Sequence, residues 1–191
     1  MSIDTGYAPD RWEFDEKVTS VFEDMLERSI PQYETMRDLS AWLAASFARK
    51  NTTILDIGSS RGDNIRRIQQ LTGMDQKFMG LEVSEPMVQA SREALQGNVE
   101  IVQYDLRNGI YDPTDSAYTE EVSVVCSILT LMFIPMEYRL GILSNIYDLL
   151  PDGGCFILVE KMLGNNSPSI LVALGSGGVS AGLSMAGKRK A

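Results

Sequence analysis

Between residues 53 and 160, short apolar runs alternate with longer amphipathic segments, and this alternation is the strongest constraint on the fold. The apolar runs have the length of strands, which we expect at Thr53–Ile57, Phe78–Val83, Val99–Tyr104, Val122–Leu129 and Cys155–Glu160. Helices are expected between them at Asp63–Leu71, Glu85–Gln96 and Met136–Leu150. Strands that alternate with helices form right-handed crossovers and a parallel sheet covered by helices on both faces. The sequence therefore predicts an α/β fold with a Rossmann-like, doubly wound, mostly parallel sheet.

Two N-terminal helices are expected before this alternation, within residues 14–48. The first runs from Phe14 towards Pro31, since the residue before a proline avoids helical backbone. Its apolar stripe consists of Val18, Val21, Phe22, Met25 and Leu26. The second runs from about Tyr33 to Ala48, and its expected buried side consists of Met36, Leu39, Trp42, Leu43 and Phe47. Both helices are assigned to a single domain over residues 1–161.

The segment that follows, residues 162–191, has a different composition. Residues 162–187 carry no charge and are rich in glycine and serine. Three alternatives remain: a poorly ordered tail, a short strand at Ser169–Leu174 that joins the sheet, or a membrane segment. The membrane alternative is disfavoured because the segment falls short of about 20 predominantly apolar residues. We predict a Gly/Ser-rich tail with possibly one short strand, so that the C-terminal part of the fold is incomplete.

Charge and residue usage restrict the chemistry. With 26 acidic and 17 basic residues the net charge is −9, which opposes tight binding to nucleic acid. The chain has no histidine, so the commonest metal ligand is missing and we expect no metal site. Its two cysteines lack the spacing of a zinc site or a disulfide scaffold, and the polar, acidic N-terminus does not resemble a secretory signal. A cytoplasmic protein without a membrane segment is expected.

The stretch T-I-L-D-I-G-S-S-R-G-D-N, from Thr53 to Asn64, is a strand that enters a helix through a glycine-containing turn. Such a turn directs backbone N–H groups and the positive end of the helix dipole towards one edge of the sheet, where an anionic or polar ligand binds. Ser60 stands where a dinucleotide fingerprint would have its middle glycine, flanked by Gly58 and Gly62. The motif alone leaves two interpretations open, a ligand-binding loop or a plain turn.

Acidic residues at the ends of the next two strands favour the ligand. Glu82 ends the second strand and Asp105 follows the third. Ligands of open α/β sheets bind at the carboxyl ends of the strands, and an acid there can accept hydrogen bonds from both ribose hydroxyls of a nucleoside. Alternatively, Glu82 only begins the following helix and Asp105 only forms a turn. Taken together, the two acids and the loop predict a nucleoside site.

The order D-I-G-S-S-R-G, an acid after the second strand, then Y-D-L-R and L-L-P-D-G-G, resembles the class I S-adenosylmethionine-dependent methyltransferases. Within that superfamily, F-D-E-K-V-T-S-V-F-E-D-M-L-E-R-S-I-P-Q-Y at residues 14–33 and V-E-K at 159–161 resemble the carboxy-S-adenosylmethionine synthases. The resemblance covers about residues 12–161. It implies the class I methyltransferase fold and a cofactor that is S-adenosyl-L-methionine or its carboxy derivative.

The resemblance also implies roles for single residues. Gly58, Ser60 and Gly62 would border the amino-acid moiety of the cofactor, Glu82 would hold the ribose, and Asp105 with the Leu106 backbone would frame the adenine. Tyr33 would close over the sulfonium, unless it only packs on the core. Asp56 and Ser127 are assigned to the same cofactor site, and no residue is assigned as catalytic.

The chain departs from the synthase pattern at several points. It has Glu82-Val83-Ser84 in place of Asp-Asn-Ser, and Ile128 in place of an asparagine. The synthases bind the extra carboxylate of their cofactor with an arginine well beyond the fifth strand, where this chain offers only Lys188, Arg189 and Lys190. The leading interpretation is therefore a methyltransferase for a small-molecule or nucleotide acceptor.

Two other functions remain open. The first is a carboxy-S-adenosylmethionine synthase-like enzyme, which by resemblance would serve the modification of the wobble uridine in tRNA. The second is a non-catalytic remnant that binds the cofactor or a protein partner. An unpaired sheet edge would also favour a homodimer.

Overall fold

The computed structural model describes residues 24–110, 121–163, 168–176 and 179–186. Residues 24–29 are helical and are followed by four longer helices: α1 (Tyr33–Phe47), α2 (Asp63–Thr72), α3 (Glu85–Ala94) and α4 (Met136–Leu149). The strands are β1 (Thr53–Ile57), β2 (Lys77–Glu82), β3 (Val99–Gln103), β4 (Val122–Ile128), β5 (Cys155–Leu163), β6 (Pro168–Ser176) and β7 (Val179–Ala186). Short 3₁₀ helices lie at Leu106–Asn108 and Leu131–Phe133. All eight elements predicted between residues 53 and 160 are present, with bounds that differ by at most a few residues.

The strands form one sheet in the order β3-β2-β1-β4-β5-β6-β7. The first five are mutually parallel, which confirms the predicted Rossmann-like sheet. From β1 the chain first builds outwards through β2 and β3, and then returns to the other side of β1 with β4. This reversal leaves a crevice outside the carboxyl ends of β1 and β4, where ligands of such sheets bind.

Helices cover both faces of the sheet, each over its own apolar core. On one face, residues of α1, α2 and α3 pack against the strands; its fully buried members include Ala44, Ile65, Val88 and Ile157. On the other face, Ile142 and Ile146 of α4 pack against strand residues that alternate with the first set. Strands buried on both faces have near-continuous apolar sequences, and for this reason their predicted bounds lie close to the observed ones.

The segment beyond residue 161 differs from the predicted tail. β6 pairs antiparallel with β5 and contains the strand considered at Ser169–Leu174, while β7 is a second strand that was not expected. Residues 164–167, 177–178 and 187–191 of the predicted tail lie outside the described residues. In the part of the chain that the structure describes, no helix is long and apolar enough to cross a membrane.

The buried face of helix α1 overlaps only in part with the one predicted. Its buried residues follow a regular helical stripe and are Tyr33, Met36, Arg37, Ser40, Ala41 and Ala44. Of the five residues predicted to be buried, Met36 is buried, three are partly buried (Leu39, Leu43 and Phe47), and Trp42 is 58% exposed. The small residues of the stripe let the helix approach the sheet closely, so the large apolar side chains lie on its flanks. In the preceding helix, Val18, Val21 and Phe22 lie outside the described residues.

Candidate functional site

The loop between β1 and α2 folds back on β2. The backbone N–H groups of Gly58 and Ser59 donate to the Leu81 carbonyl, at 2.8 and 3.0 Å. Gly58 and Gly62 have left-handed backbone with φ of 70° and 79°, and Ser60 between them has φ of 51°. A non-glycine residue in this region carries strain that persists only where the surroundings enforce it.

Both glycines are also required by close packing. A Cβ atom on Gly58 would lie 2.3 Å from the Thr130 side chain, and one on Gly62 would lie 2.5 Å from Leu95 Cδ1. Thr130 follows β4 and donates from its hydroxyl to the Ile57 carbonyl at 3.0 Å. The loop is therefore held between the carboxyl ends of β1, β2 and β4.

Glu82 connects this loop to the start of α3. Its carboxylate is buried, with Oε2 accepting from Ser60 N–H and Oε1 from Ser84 N–H, both at 2.9 Å. Burial raises the pKa of Glu82, although hydrogen bonds from the backbone of Ser84, Ser60 and Val83 act in the opposite direction. A carboxylate offers about four lone-pair sites, so Glu82 retains acceptor capacity for ligand hydroxyls. The structure thus brings two predicted site residues, Ser60 and Glu82, into direct contact.

Asp56 lies at the buried end of β1 beneath the loop. Asn64, in the first turn of α2, donates to Asp56 Oδ1 at 3.2 Å, while Oδ2 has no partner among the described residues. Burial raises the pKa of Asp56 from 3.8 to about 7. The Asn64 hydrogen bond and the charge of Arg37 lower it, whereas the charges of Glu82 and Asp63 raise it further. This carboxyl group therefore binds its proton more tightly in the folded protein than in the unfolded chain.

Asp56→Asn is expected to change how stability depends on pH. Because the folded-state pKa is raised, the Asp56 proton stabilises the fold below pH 3.8, and this stabilisation is lost as the pH rises towards about 7. The free energy of unfolding of the variant relative to the parent should therefore increase by up to about 4 kcal/mol between pH 4 and pH 8. Urea denaturation at both pH values measures this difference, and a difference that does not vary with pH would contradict it.

Asp105 follows β3, the strand that pairs with β2, and its carboxylate has a protein partner. The Arg107 side chain donates to both carboxylate oxygens of Asp105: Nε lies 3.0 Å from Oδ1 and 2.8 Å from Oδ2, and Nη2 lies 2.5 Å from Oδ2. Burial would raise the pKa of Asp105, but the side-chain and backbone hydrogen bonds of Arg107 outweigh it and hold that pKa below its usual range. Leu106 begins a 3₁₀ helix and is buried. Asp105 thus lies at the predicted edge of the sheet, formed by the carboxyl ends of the strands. Its hydrogen bonds with Arg107 use part of the acceptor capacity of its carboxylate.

Tyr33 and Ser127 are both buried at this end of the sheet. Tyr33 packs with Met36 and Val159, and its hydroxyl accepts from Arg37 Nη1 at 2.5 Å. The Ser127 hydroxyl, near the end of β4, is fully buried and has no partner among the described residues. Neither placement tests whether these residues contact a cofactor, so their roles stay predictions.

Strained backbone concentrates at the same edge. The described residues include four non-glycine residues with positive φ: Gln32, Asn51, Ser60 and Leu129. Asn51 lies at the opposite end of the sheet, but the other three precede α1, lie in the β1–α2 loop and follow β4. Leu129, a bulky residue with φ of 57°, is tied to the Val159 carbonyl at 2.8 Å. Strain of this kind clusters at binding and catalytic sites.

Buried polar atoms without a partner have the same distribution. Among the described residues these atoms are Arg37 Nε and Nη2, Thr53 Oγ1, Asp56 Oδ2, Ser59 Oγ, Asn64 Oδ1, Ser127 Oγ and Glu160 Oε1. Only Thr53 lies at the amino ends of the strands. Because folded proteins pair nearly all buried polar atoms, such a concentration indicates a site built to hold a polar ligand. A buried acid at the end of β2, a turn of left-handed residues, and buried donors and acceptors without partners among the described residues are features that suit a nucleoside with an amino-acid chain.

Several residues of this site escaped the sequence analysis. Thr130 and Asn64 support the loop and Asp56, and Arg37 is a buried cation on α1. Arg37 stands four residues after Tyr33, on the same helical face, which is the one signal that could have revealed it.

The two cysteine thiols are poor nucleophiles, since burial raises the pKa of Cys155 to about 11 and that of Cys126 well above its ordinary value.

Comparison with known proteins finds a matching family model and related curated proteins. A family model described as "Methyltransferase domain" matches residues 54–154. Carboxy-S-adenosyl-L-methionine synthase from Methylococcus capsulatus is 34% identical over 164 residues, which are 83% of this chain and 65% of the relative. The Staphylococcus epidermidis synthase is 32% identical over 161 residues, 83% of this chain and 67% of the relative. The chain thus spans about two thirds of the length of these curated relatives.

A solved structure supports the fold. It is an amino pentose methyltransferase from Micromonospora echinaspora with bound S-adenosylmethionine, superimposed with a TM-score of 0.56 at 14% identity. The match covers 94% of this chain and 84% of that protein. At this level of identity the likeness concerns the arrangement of helices and strands.

Proposed function

We propose that this chain, which belongs to the methyltransferase-domain family, binds S-adenosylmethionine and transfers a methyl group to a small-molecule or nucleotide acceptor. The family is one of class I S-adenosylmethionine-dependent enzymes, and the chain is related to the carboxy-S-adenosyl-L-methionine synthases. The observation that carries this proposal is the hydrogen bond between Ser60 N–H and Glu82 Oε2, 2.9 Å long, at the sheet's reversal point. This hydrogen bond joins the loop to Glu82, the acid proposed to bind the ribose.

The residues of the chain would hold the cofactor and exclude water from it. Glu82 would accept hydrogen bonds from the ribose, and the turn at Gly58 and Ser60 would border the amino-acid chain. When bound, S-adenosylmethionine supplies a methyl group activated by a positively charged sulfonium. Such transfer depends on alignment and desolvation more than on acid–base groups. This agrees with a site built from fixed backbone and buried carboxylates.

The expected result is a stable complex with the demethylated cofactor. S-adenosylhomocysteine at about one hundred times its Kd should raise the melting temperature by about 5–10 °C. Mass spectrometry of the ligand retained after incubation with S-adenosylmethionine then identifies the form that the protein keeps. No thermal shift and no retained nucleoside would overturn the proposed function and favour a non-catalytic remnant.

A second candidate function is supported by the relatives. They are named carboxy-S-adenosyl-L-methionine synthases, and the aligned region covers 83% of this chain. If this chain shares their activity, the ligand that the protein retains when it is purified from cells, where a donor of the extra carboxyl group is available, will include the carboxy form of the cofactor in its mass spectrum. The net charge of −9 suits either function, since neither requires the protein to hold a polyanion.

We further propose a cytoplasmic homodimer. Cys126 and Cys155 are free thiols, as expected of a reducing compartment. β7 is the last strand of the sheet within the described residues, and an exposed strand edge favours pairing with a second copy. A monomeric mass by light scattering would overturn the dimer.

A further inference from the structure

Arg37 is a buried cation near the start of α1. Its side chain extends from α1 and the residue is 7% exposed. Nη1 donates to the Tyr33 hydroxyl at 2.5 Å, and the guanidinium carbon lies 5.3 Å from the centre of the Tyr33 ring. Within the described part of the chain, Nε and Nη2 have no hydrogen-bond partner.

Burying the Arg37 guanidinium in this way is unfavourable in free energy unless an anion accepts its remaining hydrogen bonds. A buried charge that lacks partners is strongly unfavourable, and arginine is the side chain least able to lose its proton. The neighbouring Nε–H and Nη2–H groups of a guanidinium form a planar fork that matches the two oxygens of a carboxylate. Nη1, the nitrogen outside this fork, is the one that Tyr33 occupies. The contact with Tyr33 therefore holds the guanidinium and leaves its carboxylate-binding side open.

Arg37 lies beside the proposed cofactor site. Its charge acts on Asp56, at the carboxyl end of β1, yet no ion pair joins Arg37 to any carboxylate of the described residues. Tyr33, which accepts a hydrogen bond from Arg37, belongs to an apolar cluster with Val159, and Leu129, the strained residue after β4, packs against this cluster. Two salt bridges from Arg67 of α2 to Glu34 and Asp38, at 2.7 and 2.6 Å, fix the position of this turn of α1.

Asp56 neutralises Arg37 only in part at neutral pH. Because burial raises the pKa of Asp56 to about 7, its carboxyl group is only partly ionised near that pH and offsets only part of the positive charge of Arg37. An incoming carboxylate would supply the missing negative charge and both missing acceptors.

We infer that Arg37 binds a carboxylate of the ligand through Nε and Nη2, an inference that rests on the proposed function. S-adenosylmethionine carries one such group on its amino-acid chain, and carboxy-S-adenosylmethionine carries a second. The same guanidinium chemistry serves either one, and the ligands chosen for the test separate them.

The test measures Kd by calorimetry for the parent, Arg37→Met and Arg37→Lys. The probes are S-adenosylhomocysteine, carboxy-S-adenosylmethionine and 5′-methylthioadenosine, which has the nucleoside but no carboxylate. If the amino-acid carboxylate is bound, Arg37→Met weakens S-adenosylhomocysteine about ten- to hundredfold and leaves 5′-methylthioadenosine unchanged. If the second carboxylate is bound, the loss is confined to carboxy-S-adenosylmethionine. Arg37→Lys, which keeps the charge without the fork, should lie between the parent and Arg37→Met.

Two controls separate binding from folding. Arg28→Met removes an arginine whose side chain is 78% exposed and should leave every Kd unchanged. Arg37→Met should unfold in urea at a midpoint no lower than the parent's, since it removes a buried charge without a carboxylate partner. A lower midpoint would contradict the unpaired state of Arg37.

The remaining outcomes are equally decisive. Unchanged affinity of Arg37→Met for both carboxylate-bearing probes, or an equal loss for all three probes, would overturn the inference. If the parent bound none of the three, the proposed function and the inference would fall together. If it bound 5′-methylthioadenosine and the Arg37 variants bound every probe as the parent does, only the inference would fall.

Discussion

Glu82→Ala is expected to weaken the binding of S-adenosylhomocysteine about ten- to hundredfold, because it removes the acceptor proposed for the ribose hydroxyls. It also removes the acceptor of the N–H groups of Ser60 and Ser84. Leaving two partly buried donors unpaired should lower the free energy of unfolding by about 2–4 kcal/mol. Calorimetric titration measures the first effect, and urea denaturation without ligand measures the second.

The two effects of Glu82→Ala are separated by two further variants. Glu93→Ala removes an exposed carboxylate on the same helix, α3, and should change neither quantity. Glu82→Gln keeps the shape of the side chain and one acceptor oxygen, and its losses should be smaller than those of Glu82→Ala. A Glu82→Ala protein that bound S-adenosylhomocysteine as tightly as the parent would remove the ribose assignment, whatever its stability.

The parallel part of the fold could be predicted because its signals are local. β1 has the predicted bounds, Thr53–Ile57, since an apolar run ends at a glycine whose left-handed backbone ends the strand. The position of Glu82 could also be predicted, because the carboxyl ends of parallel strands share one edge. The hydrogen bond between Glu82 and Ser60 could not be predicted, since 22 residues separate them in sequence and only the packed sheet brings them together.

Features that depend on packing between distant elements could not be predicted. Trp42 was expected inside because it is large and apolar, yet the small residues Ala41 and Ala44 decide which face of α1 approaches the sheet. β7 was missed because glycine and serine weaken the strand pattern, while its pairing with β6 lies in backbone hydrogen bonds that composition does not reveal. Arg37 was not among the predicted site residues, and only the fold shows it buried beside Tyr33.

Gly58→Ala is expected to lower the free energy of unfolding by about 2–5 kcal/mol. About 1–2 kcal/mol comes from placing a Cβ on backbone with left-handed φ, here 70°. A further 1–3 kcal/mol, roughly, comes from overpacking, since the new atom would lie 2.3 Å from Thr130 Cγ2 and Oγ1. Thr130 is hydrogen-bonded to the Ile57 carbonyl. The steric clash can therefore be relieved only if the β1–α2 loop and the end of β4 move apart. Gly58→Ala should also weaken the binding of S-adenosylhomocysteine, because β1 and β4 both border the proposed site.

Gly153→Ala is the matched control, because Gly153 has a φ of 75° but no atom within 4 Å of the position that a Cβ would occupy. It should cost only the conformational part, about 1–2 kcal/mol. The excess cost of Gly58→Ala then measures the contact with Thr130, and that excess should shrink by about 1 kcal/mol or more when Thr130→Ala removes Cγ2 and Oγ1. Equal costs for the two glycine substitutions in urea denaturation would mean that the loop accommodates a side chain at Gly58. The close approach of β1 and β4 would then no longer explain why glycine stands at the first turn of the site.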